Sequence, residues 1–211
     1  MDRKLQIDTF SRYYQVSRET LTSLMKYEEL LLEGNKSLNL IGSSTTNYIW
    51  HRHFLDSVQA IDFIDKNQKT LVDLGSGAGF PGLVLSIIAK DRKIPIKIKI
   101  IEKSKRKVIF LKKVVNELKL NSDVINQNVE DDKFSFDDDT FIARAFKPVP
   151  KILELIHNKA QNLKKIIIFL GKNGMNELLQ ASKNWDIKYK QSMSVTSNDS
   201  FIIEINKLLK K

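Results

Sequence analysis

Two textures of apolar residues run along the chain. Between residue 8 and about residue 33, Leu21, Leu24, Met25, Leu31 and Leu32 recur at helical spacing and predict one amphipathic helix, closed by Gly34-Asn35. After the polar loop Asn39-Leu40-Ile41-Gly42-Ser43-Ser44, the stripe Trp50, Phe54, Val58 and Ile61 predicts a second helical stretch. Residues 1–69 thus read as a helical extension, too small for a large core of its own and expected to lean on the remainder of the chain.

From Thr70 the pattern changes to short β-branched runs alternating with amphipathic stretches, as in a parallel sheet flanked by helices. Strands are expected at 71–74, 96–101, 123–126, 140–143 and 165–170, with helices near 81–90, 105–119, 150–160 and 175–183. Residues 187–195 and 201–205 also read as strands. Only Thr196-Ser197-Asn198-Asp199-Ser200 separates them, too short a link for a crossover helix, so they should pair as an antiparallel hairpin. Residues 70–211 are therefore expected to form an α/β domain with a mostly parallel sheet ending in an antiparallel hairpin.

Composition narrows the class. With 42% hydrophobic residues, 11 Phe and 2 Trp among 211 residues, the chain can bury an ordinary core and is not a disordered polyelectrolyte. The cysteine count is 0, which excludes disulfides, Cys-ligated metal sites and a thiol nucleophile. Lys+Arg 35 against Asp+Glu 25 give a net charge of +10, which suits a polyanionic partner through counterion release; solubility alone is the competing reading. The charge is uneven, because Glu130-Asp131-Asp132 and Asp137-Asp138-Asp139 form an acidic segment. No apolar run approaches the roughly 20 residues of a membrane span, and the longest core-like stretch, 166–170, reads as a strand. Met1-Asp2-Arg3-Lys4 leads into a mixed polar segment without an apolar signal core, so the cytoplasm is the expected location and no membrane partner is expected.

The most specific chemistry lies in Leu71-Val72-Asp73-Leu74-Gly75-Ser76-Gly77-Ala78-Gly79-Phe80-Pro81-Gly82. An apolar strand runs into alternating glycines, which let the chain turn tightly and a ligand approach the backbone. Pro81 suits a first helical turn, and the helix start offers unpaired N–H groups to an anion. The dinucleotide fingerprint G-x-G-x-x-G would need glycine at position 80, where Phe80 stands, and no GxxxxGK[ST] phosphate loop occurs. The pattern present, D-x-G-x-G-x-G, resembles motif I of S-adenosyl-L-methionine (AdoMet)-dependent methyltransferases. Asp73, Gly75 and Gly77 are thus cofactor candidates. Glu102, at the end of the second strand, is another, since a carboxylate there can accept both hydroxyls of a ribose; a solvated strand end is the alternative.

Absences limit the target atom. The common route to C5 methylation of pyrimidines needs a cysteine. The (N/D/S)-P-P-(Y/F) motif of exocyclic-amine methyltransferases is replaced here by Ala143-Arg144-Ala145-Phe146-Lys147-Pro148. Ring nitrogens, ribose hydroxyls, proteins and small molecules stay open on this reading.

Asn39-Leu40-Ile41, Arg52-His53-Phe54-Leu55-Asp56-Ser57, the loop from Asp73 to Gly82, Arg106-Lys107 with Phe110-Leu111, and Ala143-Arg144-Ala145-Phe146 occur in that order. Together they resemble the RsmG (GidB) family of bacterial methyltransferases acting on guanine N7 of 16S ribosomal RNA, over roughly residues 35 to 175. The resemblance implies a Rossmann-like class I methyltransferase fold with an N-terminal helical extension, AdoMet as cofactor, and 16S rRNA or the small ribosomal subunit as partner. DNA is not expected as a partner, and a monomer is expected. Carried over by position, the family's cofactor contacts match Gly75, Phe80, Val129, Glu130 and Arg144. Arg52 and His53 become substrate candidates on the same ground. Where the family tends to carry Leu-Lys-Gly after the fifth strand, this chain has Leu170-Gly171-Lys172, and Lys172 is a substrate candidate in that place.

Guanine N7 has an in-plane lone pair and no proton, so no general base is required and no proton-transferring residue is expected. Arg144 is the candidate for positioning, of cofactor or of guanine. Lys103, Lys105, Arg106, Lys107, Lys112, Lys113 and Lys119 cluster on one helical region, with Arg106 and Lys107 as candidate RNA contacts; a solvated helix face is the alternative. His51 and His53 lack a third ligand and a shared helix face, so no metal is expected. The other functional classes weighed are an AdoMet-dependent methyltransferase of another RNA, a protein or a small molecule, a non-catalytic RNA-binding protein with a vestigial cofactor site, and a nicotinamide-dependent oxidoreductase.

Overall fold

The structure is a computed structural model describing residues 2–132, 134–138 and 140–211, so Met1, and Asp139 of the acidic segment, lie outside the described residues. The first predicted helix is two. α1 (Arg3–Tyr13) and α2 (Arg18–Leu38) are separated at Ser17, whose side chain accepts from the Thr20 N–H and so caps α2. The break is pinned from outside: the Asp91 carboxylate accepts from Thr20 Oγ1 at 2.7 Å and from the Ser17 N–H at 3.3 Å. A propensity reading along 8–33 misses a cap whose partner lies more than seventy residues away.

Gly34-Asn35 does not end α2, which continues to Leu38 and closes on Asn39 in the left-handed conformation. The Asn35 side chain instead accepts from the Ile41 N–H at 2.9 Å and fastens the following loop. The second predicted stripe is buried as expected at Trp50, Phe54, Val58 and Ile61. Its backbone is irregular, however: a 3-10 segment (Ser43–Tyr48), a π-helical turn (Trp50–Leu55), a short α turn α3 (Asp56–Val58) and another 3-10 segment (Gln59–Phe63).

The α/β portion runs β1 (Thr70–Leu74), α4 (Gly82–Asp91), β2 (Lys97–Glu102), α5 (Lys105–Leu118), β3 (Ser122–Asn126), β4 (Thr140–Arg144), α6 (Val149–Lys159), β5 (Lys165–Leu170), α7 (Gly174–Ala181), β6 (Trp185–Met193) and β7 (Phe201–Lys210). Strand order is β3-β2-β1-β4-β5-β7-β6. β1 to β5 are mutually parallel, while β7 lies antiparallel between β5 and β6. The predicted fold class holds, hairpin included. β7 runs to Lys210, well past the predicted end, because Leu208 and its neighbours pair along the whole of β6. The order reverses between β1 and β4, so the crevice beyond their carboxyl ends is where a ligand fits such a sheet.

The N-terminal helices share one core with the sheet. Phe10, Tyr27, Trp50 and Phe54 pack in the same cluster as Leu83 and Ile87 of α4, Ile98 of β2 and Phe110 of α5. The other sheet face is covered by α6 and α7 through Ile152, Leu153, Ile156 and Leu178. Phe10 is fully buried and meets Trp50 edge-on at 5.5 Å. Phe10→Ala is expected to lower stability by about 3–5 kcal/mol, read as a reduced urea midpoint at unchanged slope; a loss under about 1 kcal/mol would mean that α1 is not part of the cooperative unit.

Candidate active site

The loop after β1 is built around one buried carboxylate. Asp73 Oδ2 accepts from Ser76 Oγ and, at 2.9 Å, from the Gly82 N–H. Gly82 opens α4, so the carboxylate that its N–H meets at this helix N-terminus is the protein's own. Pro81 stands just outside α4, as its N-cap rather than in its first turn. Burial pushes the Asp73 carboxyl up to about 6, although Ser76, Gly82 and Arg144 each favour the charged form. Asp73 is 0% exposed and lies beneath the loop rather than on a cavity wall.

Gly75, Gly77 and Gly79 all adopt positive φ, +67°, +61° and +106°. At Gly75 a Cβ would stand 2.1 Å from Phe146 Cδ2; at Gly79 it would meet Leu83 and Tyr27. Glycine is thus required twice over, by conformation and by contact. The N–H groups of Gly75 and Ser76 donate to the Ile101 carbonyl at 3.0 and 3.1 Å, which lays the loop over the end of β2.

There it borders a cavity of about 300 Å³ lined by Gly75, Gly77, Glu102, Lys107, Val129 and Glu130, among others. Glu102 is buried; Oε2 accepts from the Gly77 N–H at 3.0 Å and Oε1 from the Ser104 N–H at 2.8 Å, so the carboxylate is fixed at the end of β2 with further lone pairs to spare. Val129 supplies a buried apolar wall, and Glu130 is exposed and paired with Lys147 at 2.8 Å. A glycine cradle, a fixed carboxylate and an apolar wall suit a nucleoside with an extended tail, and AdoMet fits that description.

Arg144 and Phe80 do not line this cavity. Arg144 ends β4 and faces a second cavity of about 420 Å³, with Arg52, His53, Asp56, Ser194 and Thr196. Its Nη1 donates to Asp56 Oδ2 at 2.7 Å and to the Arg52 carbonyl at 3.2 Å, and its Nη2 to His53 Nδ1 at 2.8 Å. His53 Nδ1 is then the acceptor, which assigns the proton to Nε2, 3.0 Å from Thr45 Oγ1. Burial, with Arg144 and Arg52 nearby, pushes His53 down to about 3, so the ring is neutral near pH 7. Asp56 Oδ1 accepts from Thr196 Oγ1 at 2.9 Å and Ser194 Oγ at 3.3 Å, joining α3 to the β6–β7 turn. Phe80 is buried, stacks on His53 at 4.7 Å and 14°, and has the Arg144 guanidinium 5.2 Å from its centroid.

Of the predicted substrate residues, Arg52 and His53 do meet at this second cavity. Lys107 borders the cofactor cavity instead. Arg106 donates to the Ser37 carbonyl at 2.9 Å and Lys113 pairs with Glu33, so part of the basic run on α5 fastens that helix to α2. Lys172 is exposed on a third cavity of about 250 Å³ that also touches Ala145. Sequence reasoning missed the roles of Asp56, Ser194, Thr196 and Phe146. Asp56 and Phe146 sit within the Arg52–Ser57 and Ala143–Phe146 motifs, whereas no local pattern links Ser194 and Thr196 to a carboxylate near residue 56.

The family model described as GidB, rRNA small subunit methyltransferase G, matches residues 20–203. A ribosomal RNA small subunit methyltransferase G from Pelagibacter ubique is 40% identical over 198 residues, covering 93% of this chain and 92% of the relative. One of the same name from Rickettsia akari is 37% identical, covering 93% and 98%. Among solved structures, TrmK of M. capricolum in complex with S-adenosyl-homocysteine aligns with a TM-score of 0.52 at 22% identity, over 72% of this chain and 67% of that one; this likeness speaks for the fold.

Two substitutions test the site. Gly75→Asp puts a side chain into the space held by Phe146 and a second carboxylate beside Glu102; AdoMet affinity by calorimetry is expected to fall at least about tenfold, and an unchanged affinity would place the cofactor elsewhere. For Asp73, a folded pKa raised above the ordinary 3.8 favours the protonated fold, so its contribution is complete below about pH 4 and is lost as pH rises through about 6. Asp73→Asn removes that titration, and the melting temperature of the variant minus that of the parent should climb between pH 4 and pH 7; a flat difference would show that Asp73 does not titrate there.

Proposed function

The chain belongs to the rRNA small subunit methyltransferase G family, and from that membership we infer that it transfers the methyl group of AdoMet to N7 of a guanine in 16S ribosomal RNA. The observation that carries this reading is a pair of cavities that adjoin at Ala145 beyond the carboxyl ends of β1 and β4, one nucleoside-sized and one rimmed by Arg144 and Arg52. In the first, Glu102 would hold the ribose, Val129 would pack on the adenine, and Gly75 and Gly77 would let the tail approach the backbone. In the second, the acceptor base enters.

AdoMet supplies an electrophilic methyl: N7 forms the new N–C bond as the C–S bond breaks, and the electron pair stays on sulfur. N7 carries no proton, so no residue must remove one. The side chains in the second cavity fit a positioning task. His53 is neutral, and Asp56 is occupied by Arg144, Ser194 and Thr196. Arg144 is held by Asp56, the Arg52 carbonyl and His53, which leaves its Nε–H and one Nη2–H for an oxygen acceptor on the incoming nucleotide. Orientation of this kind can supply about 7–11 kcal/mol in favourable cases.

A net charge of +10 supports a polyanion such as 16S rRNA, as naked RNA or within the small subunit. Among the described residues no helix is long and apolar enough to cross a membrane. The cytoplasm, where ribosomal subunits are found, is the proposed location, with the protein acting as a monomer and without DNA as a partner. Residues 1–69 would serve as an extension that contributes Arg52, His53 and Asp56 to the acceptor side.

Incubation with methyl-labelled AdoMet and small subunits from a strain lacking this methylation should place label in 16S rRNA at an aniline-sensitive N7-methylguanine. Label confined to protein or small molecules would overturn the reading.

A further inference from the structure

The two cavities share one lining residue, Ala145, and the third cavity opens on it as well. Ala145 has φ +49°, a left-handed conformation that alanine adopts only when its surroundings impose it. That turn, directly after β4, brings the Phe146 ring against Gly75, where it lines the cofactor cavity. With the ribose at Glu102 and the acceptor base beside Arg144, the sulfur must pass Ala145 and Phe146 to point its methyl from one cavity into the other.

The charges there do not suit a cation unaided. Lys103, Lys107 and Lys147 line the cofactor cavity. Of its two carboxylates, Glu102 receives the Gly77 and Ser104 N–H groups, and Glu130 is paired with Lys147. A sulfonium has no N–H to donate, so it gains little from directional acceptors. An aromatic face attracts a cation without needing a hydrogen. The Phe146 face already does so, with the Lys147 ammonium 5.4 Å from its centroid.

We propose that Phe146 is the sulfonium-recognising wall of the site: its ring face, pressed on Gly75 by the left-handed turn at Ala145, holds the charged sulfur of AdoMet by a cation–π contact at the junction of the two cavities. The inference rests on AdoMet being the cofactor of this cavity. It has a consequence that shape complementarity lacks. S-Adenosyl-homocysteine has the same adenosine and amino acid parts but a neutral sulfur, so the ring distinguishes substrate from product, and release of product is favoured once the charge has gone.

Calorimetry with both ligands tests this without any turnover. Phe146→Leu should weaken AdoMet binding by about 3- to 30-fold while S-adenosyl-homocysteine binding stays within about twofold. Phe146→Tyr, which keeps the ring, should retain the ratio of the unaltered protein. Should Phe146→Leu fail to fold by circular dichroism, Phe146→Met, of similar volume and without a ring, is read in the same way. Equal weakening of both ligands, or no change in their ratio, would overturn the proposal and leave Phe146 a packing residue. Absence of AdoMet binding to the unaltered protein would strike the cofactor reading itself.

Discussion

The buried carboxylate of Asp73 is the constraint from which the rest of the site is built. Placed near the end of β1, it accepts from Ser76 within the glycine loop and from Gly82 at the start of α4, so strand, loop and helix are joined by one side chain. A charged group in that position is costly, and burial accordingly holds its pKa near 6. What it gives in return is a loop whose glycines lie over β2, with Glu102 brought under the Gly77 N–H. The cofactor cavity exists because the loop is held in that shape.

A second dependence runs through the aromatic contacts of the N-terminal region. Tyr27 is fully buried, donates to the Ala78 carbonyl at 2.7 Å, and stacks on Phe54 at 5.4 Å. Phe80 lies between Tyr27 and His53, and Arg144 approaches its ring from β4. The helical extension, the glycine loop and the end of β4 therefore meet around one phenylalanine. Phe80 does not line the cofactor cavity; its ring stacks on His53, whose Nδ1 accepts from Arg144. The short α turn completes the arrangement, since Asp56 links Arg144 to the β6–β7 turn. Residues from four distant stretches of sequence are locked together before any substrate arrives, which is the preorganisation that a reaction relying on alignment needs.

Much of this was legible in the sequence because it is written locally. The alternation from β1 to β5, the hairpin of β6 and β7, and the glycine pattern after Asp73 are period and spacing signals, and glycines at positive φ leave a mark in the chain where no other residue fits. The absence of cysteine narrowed the chemistry before any fold was known. The ordered motifs told of the family, and Gly75, Gly77, Glu102, Val129 and Glu130 do border one cavity.

Tertiary structure decided what depends on partners far away in the chain. Ser17 begins a new helix because Asp91 holds it, and Arg106 of α5 reaches back to Ser37 on α2. Asp73 proved to be an inner brace and Arg144 a member of the neighbouring cavity, since burial and hydrogen-bond partners are properties of the packed chain and not of the motif. Ser194 and Thr196 joined the site through a carboxylate well over a hundred residues away. Local residue pattern set which backbone shapes were possible and which chemistry was excluded; packing in three dimensions selected which side chains share a cavity, because only it brings groups distant in sequence to within hydrogen-bond reach.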